Sequence, residues 1–216
     1  MDLYTYIIRR EFDRFSNFRK YILDSIENER KKKSCSWEEF KEGEGKNIDI
    51  TEEEYDDHIS DEYITIDDTE QLLYKSYLVS IFIFLEQQFA DLCDFINDQK
   101  KAIFTYKDLK GIGIQRSINY IHKTLGKPFP ILEARRKKFE TALAVRNLIV
   151  HLNGELEGSR DGDKQKINDY VMNHKDLKNV HGHIQITQTY IENVTGIAQG
   201  VCGEIFQIRE SIKLGL

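Results

Sequence analysis

The 216-residue sequence predicts an all-α fold: an antiparallel bundle of four to five main helices with an irregular acidic insertion after the first. Only two prolines occur, Pro128 and Pro130, so long helices meet few imposed breaks. Apolar residues recur three and four positions apart over long stretches, and few runs alternate apolar with polar. With 40% hydrophobic and 31% charged residues, the chain has the composition of a globular protein that buries a substantial core, read as one domain over residues 1–216.

The first element, residues 2–31, sets Leu3, Ile7, Phe15, Phe18, Ile22 and Ile26 at helical spacing between charges. It closes on Arg30-Lys31-Lys32-Lys33, cations that suit a helix C-terminus. Residues 34–67 lose this period and gain acids, Gly43 and Gly45, and read as an acidic, mobile insertion. Within it Tyr63-Ile64-Thr65-Ile66 has the pattern of a short strand. Asp68-Thr69 offers an N-cap to a second helix that runs to about Lys100. Leu78, Phe82, Leu85, Phe89, Leu92 and Ile96 form one stripe on it, and Tyr74, Tyr77, Ile81 and Phe84 a second, which places this helix in the middle of the bundle. Glu86 stands in its most apolar stretch and needs a partner there.

Lys110-Gly111-Ile112-Gly113 is a break before a shorter helix, Ile114 to Leu125, that stops at Gly126 and Pro128. The next helix opens near Leu132, with Leu132, Phe139, Leu143 and Val150 on one stripe, and ends at Asn153-Gly154. Residues 154–164 form a Gly-rich, charged loop, and a short helix spans Lys164 to Met172. His183 to Thr187 is a brief extended piece, and the last helix runs from Gln188 to Lys213.

Charge and cysteine usage narrow the function classes. The net charge of −6 argues against a protein that coats nucleic acid non-specifically, yet the charge is uneven. Residues 36–70 hold fifteen Asp and Glu against Lys41 and Lys46, whereas residues 100–146 hold twelve Lys and Arg against Asp108, Glu133 and Glu140. The acidic strip is either a solvated linker or a nucleic-acid mimic for a basic cleft. Cys35, Cys93 and Cys202 are odd in number and widely spaced, as thiols of a reducing cytoplasm are. No apolar leader follows Met1 and no run is long enough to cross a membrane, so the expected location is cytoplasmic, with no membrane partner.

The chemistry concentrates in Arg146-Asn147-Leu148-Ile149-Val150-His151, at the end of an apolar helix. It combines a permanent cation with a histidine, a side chain that titrates near neutral pH, and the pair suits a phosphodiester. Spacing alone does not specify it, since Arg116 and His122 show a similar one in mid-helix. Arg146 falls within about 40° of the Leu132–Val150 line, where a guanidinium requires a carboxylate such as Glu86 or a phosphate. On an unbroken helix His151 points about 140° away from Arg146, so convergence needs the helix to end or bend near Val150, or a second subunit.

These residues resemble the HEPN domains, helical bundles whose ribonuclease members carry an Arg, four to six residues, then His, with a polar residue after the Arg. Arg146, Asn147 and His151 match position by position. Leu73 to Cys93, with Leu85-Glu86 inside it, looks like the family's early core helix, and the resemblance spans roughly residues 68–213. It implies a homodimer whose motifs face each other across a cleft and cleave RNA without metal or other cofactor. It further implies a toxin or phage-defence effector with an antitoxin or regulatory protein as a partner; the alternative is a catalytically silent module that binds RNA, a nucleotide or a protein. Arg146, Asn147 and His151 are then the catalytic residues, with Glu86 supporting them.

Arg135, Arg136, Lys137 and Lys138 form a compact basic run that either follows an RNA backbone or makes a solvated face. Gly111-Ile112-Gly113 lacks the full dinucleotide fingerprint. His174, His181 and His183 lack both metal-ligand spacing and a carboxylate cluster, so no metal is expected.

Overall fold

The structure, a computed structural model, describes residues 3–33, 37–43, 46, 48–126 and 130–215, with the side chains of 130–135 outside the description. The fold is an all-α helical bundle. Among the described residues there are seven α-helices: α1 (Leu3–Lys33), α2 (Trp37–Glu42), α3 (Glu52–Lys100), α4 (Gly113–Leu125), α5 (Pro130–Leu152), α6 (Asp161–Asn173) and α7 (Gln188–Lys213). One hairpin, β1 (Leu177–Val180) and β2 (His183–Ile186), precedes α7. The chain divides into two compact units, Asp13–Tyr74 and the remainder, Met1–Phe12 with Lys75–Leu216.

In the unit Asp13–Tyr74 the helix over 52–67 corrects the irregular segment expected there. Thr51 and Glu54 form a reciprocal capping box: Glu54 N donates to Thr51 Oγ1 at 3.2 Å and Thr51 N to Glu54 Oε2 at 2.8 Å. Glu52, Glu53 and Glu54 then favour the helix N-terminus. Asp68-Thr69 is therefore mid-helix and caps nothing; the Thr69 hydroxyl donates back to Thr65 O at 2.8 Å, and Thr65 likewise to Asp61 O. The expected strand at Tyr63–Ile66 is helical for the same reason. Several acids meet the basic end of α1: Arg30 pairs with Asp67 and with Glu70 at 2.7 Å, and Lys33 with Glu62 at 2.7 Å. These pairs descend along α3 as they ascend α1, so the two helices run antiparallel here. Trp37, Phe40 and Tyr55 close the far end as an aromatic cluster, with Phe40 and Tyr55 centroids 4.6 Å apart.

In the other unit, Leu78, Ile81, Phe82, Leu85, Phe89, Leu92, Cys93 and Ile96 of α3 are at most 1% exposed. Each large apolar side chain so placed contributes about 1.5–3 kcal/mol, so this half of α3 is the core's axis. Around it α7 buries Tyr190, Ile191, Val194, Ala198, Val201, Cys202 and Ile205, α5 buries Phe139, Ala142, Val145 and Leu148, and α4 buries Ile114, Tyr120 and Ile121. The predicted α5 stripe is thereby shifted: Val150 is 46% exposed, and Val145 and Leu148 take the inner positions. The side chain of Leu132 lies outside the described residues. Burial pushes the Cys93 and Cys202 thiols up to about 12, which suits apolar core residues. Cys35 lies outside the described residues.

The hairpin joins α6 to α7. β1 and β2 pair antiparallel, Leu177 opposite Ile186 and Val180 opposite His183. The segment after α5 docks on them through Ile184 N to Gly154 O and Leu156 N to Gly182 O, both 2.9 Å. Beneath the hairpin the buried Asp176 carboxylate accepts from Tyr170 Oη at 3.0 Å and from Asn193 Nδ2 at 2.8 Å. Its carbonyl accepts from Thr187 Oγ1 at 2.6 Å, and Thr187 in turn caps α7.

Candidate functional site

Arg146 stands at the border of the buried face of α5, its side chain 16% exposed. Its Nη2 lies 3.3 Å from Glu86 Oε1 and its Nη1 donates to Asn147 Oδ1 at 3.0 Å. The partner that burial demands of this guanidinium is thus the acid in the apolar stretch of α3. Arg146 Nε is buried and meets no acceptor among the described residues. A guanidinium donates five N–H bonds in a rigid fork, so Nη1 and Nη2 each retain a hydrogen for a further oxyanion, whereas the buried Nε is out of a ligand's reach.

A second element approaches Glu86 closely. Gly113, the first residue of α4, has φ +52, and a Cβ built there would stand 3.1 Å from Glu86 Oε1. Only glycine combines that backbone conformation with that approach at little cost. At the end of the break Lys110-Gly111-Ile112-Gly113, glycine thus leaves room for the carboxylate that faces Arg146.

His151 is exposed, and its ring makes no hydrogen bond or ion pair among the described residues. Helix α5 continues unbroken to Leu152, so the ending at Asn153-Gly154 comes too late to turn His151 toward Arg146. Asn153 (φ +51) and Gly154 (φ +93) adopt the left-handed conformation of a helix terminus. Asn153 N donates to Ile149 O at 3.0 Å, and Asn153 O accepts from Lys75 Nζ at 3.1 Å. Lys75, which no sequence motif singles out, is what ties this terminus to α3. The structure thus brings together Arg146, Asn147 and Glu86, and leaves His151 about 140° around the helix, by the 100° turn per residue.

The remaining candidates disperse. Arg136 is exposed and spends its Nε on Glu140 at 2.7 Å, Lys137 and Lys138 are exposed, and the side chain of Arg135 lies outside the described residues. Residues 136–138 make a solvated helix face whose two lysines remain open to a polyanion. Arg116, of the second Arg-to-His spacing, packs over the Tyr106 ring at 5.5 Å. His174 stacks on Tyr170 with centroids 4.0 Å apart. Among the described residues no group of three His, Cys, Asp or Glu stands where it could share a metal ion, and no helix is long and apolar enough to cross a membrane.

Comparison with protein-family models, curated proteins and solved structures finds no match to this chain.

Proposed function

We propose that this chain is a metal-independent endoribonuclease of the HEPN type that acts as a homodimer, in a toxin or phage-defence role with an antitoxin or regulatory protein as its partner. The observation that carries the reading is the half-buried Arg146, steadied by Glu86 and Asn147, each of which engages only one of its two terminal nitrogens. A phosphate takes the Nη1 and Nη2 hydrogens that Asn147 and Glu86 leave over, in charge-assisted hydrogen bonds. Because His151 faces away within one chain, the reacting pair forms across a two-fold axis between copies. In the reaction a histidine takes the proton of a ribose 2′-hydroxyl and the 2′-oxygen attacks phosphorus. The bond from phosphorus to the 5′-oxygen breaks, and that oxygen takes a proton from the histidinium as it leaves, giving a 2′,3′-cyclic phosphate and a 5′-hydroxyl end. Arg146 offsets the charge that gathers on the non-bridging oxygens.

Purified full-length protein is expected to cleave RNA in EDTA and leave cyclic phosphate ends, and His151→Ala to lower the rate by about 10²–10⁴-fold. Equal cleavage by both proteins sinks the reading. A second reading draws on the Glu86 pair itself: an Arg146 already neutralised at 3.3 Å also suits a catalytically silent module that binds RNA, a nucleotide or a protein. Retention of RNA without cleavage, in the same assay, selects it.

A further inference from the structure

The segment Tyr106–Lys110 and helix α4 form a pocket of about 420 Å³, lined by Asp108, Leu109, Lys110, Asn119, His122 and Lys123. That volume falls in the range of small-ligand sites, about 300–1,000 Å³. Its single acid is engaged elsewhere: Asp108 Oδ2 accepts from Thr105 N at 2.7 Å and from Thr105 Oγ1 at 2.9 Å, bonds that hold the carboxyl below its ordinary range. Asn119 Oδ1 accepts from Gln115 Nε2 at 3.1 Å, which leaves the Asn119 amide donor for the pocket. Neither Lys110 nor Lys123 has an ion-pair partner among the described residues. Two further cations, Lys107 and Arg116, stand 5.7 and 5.5 Å from the Tyr106 ring, so the surroundings add positive charge, and Asp108 is the one acid in the pocket lining.

A contrast within the same chain gives this arrangement weight. The 570 Å³ pocket in the unit Asp13–Tyr74 is also lined by cations, but each has its acid. Lys32 meets Glu29 at 2.7 Å, Lys33 meets Glu62 at 2.7 Å, and His58 lies 3.4 Å from the same Glu62. That pocket is neutralised by its own walls. The α4 pocket is not, and an unmatched pair of ammonium groups beside a directional amide donor suits a phosphate oxyanion.

We propose that the α4 pocket binds the phosphate ester of a nucleotide, with Lys110 and Lys123 supplying charge, Asn119 and His122 supplying directional hydrogen bonds, and Leu109 an apolar wall for sugar or base. The site shares no residue with Arg146, Asn147 and His151 and stands whether or not the chain cleaves RNA. The phosphate comes either from a free mononucleotide or from a single strand that runs past the pocket.

Calorimetric titration of the full chain with AMP, and separately with a short 2′-O-methylated oligoribonucleotide that resists 2′-hydroxyl attack, tests the assignment. Lys110→Gln with Lys123→Gln is expected to weaken AMP binding about tenfold. If the strand is the source, the same change lowers the slope of log affinity against log salt by about 1.4, near 0.7 for each phosphate that is no longer neutralised. Lys110→Arg with Lys123→Arg keeps the charge and retains binding, and the exposed pair Lys175→Gln with Lys178→Gln serves as the equal-charge control. Lysine-dependent binding of AMP identifies a mononucleotide site, and lysine-dependent binding of the oligonucleotide alone identifies a strand site. Binding of neither probe, or an equal loss in the control pair, overturns the proposal.

Discussion

Co-expressed Arg146→Ala and His151→Ala chains are expected to cleave RNA, although each variant alone is about 10²–10⁴-fold slower than the wild type. The expectation follows from azimuth. Both residues lie on the unbroken part of α5, which runs through Leu152, so about 140° separates their side chains and neither can reach a phosphate held by the other. If the reacting pair forms between copies, a mixed dimer unites the Arg146 of one chain with the His151 of the other and holds one complete site. Homodimers of either variant hold none. Purified mixed dimers carrying two different affinity tags make the readout independent of exchange. A mixture as slow as its components would exclude an intermolecular pair and with it the proposed homodimeric site.

The largest expected loss of stability lies outside that motif, at Asp176. This residue is 9% exposed, and Tyr170 and Asn193 both donate to one of its carboxylate oxygens. Asp176→Ala leaves both donors without their acceptor in a buried setting, at a cost of about 3 kcal/mol. Against a total stability of about 5–15 kcal/mol that is a large share, and it lowers the melting temperature by about 6–12 °C. Asp176→Asn keeps an oxygen that can accept both bonds, so it is expected to lose less. Thermal unfolding checks the order, and an alanine variant within about 0.5 kcal/mol of wild type would refute the role assigned to the network.

The helices that carry dense apolar periods were the legible part of the sequence. The last helix runs from Gln188 to Lys213 as its period predicts, and the stripes of Leu78 to Ile96 mark the core's axis. Residues 52–67 misled because their acids resemble those of a solvated linker. The corrective signal was present as Thr51-Glu52-Glu53-Glu54, a capping box whose two halves lie three residues apart. At the site, Glu86 was legible because a carboxylate among apolar neighbours demands a partner. The place of Arg146 at the edge of the buried face, rather than within it, depends on how Phe139, Ala142 and Val145 pack and follows from no local pattern. Lys75, Gly113 and the Asp176 network act through partners distant along the chain, which a linear period does not encode.

Gly113 has an implication for genetics. It lies on a different helix from the Arg146 motif, yet any side chain added there presses on the carboxylate that steadies Arg146. Should the protein arrest the cells that make it, survivors selected from a random mutant library would carry substitutions at Gly113 as well as at Arg146 and His151. A map of such escape mutations would trace the site without a ligand, an assay or a relative to guide it.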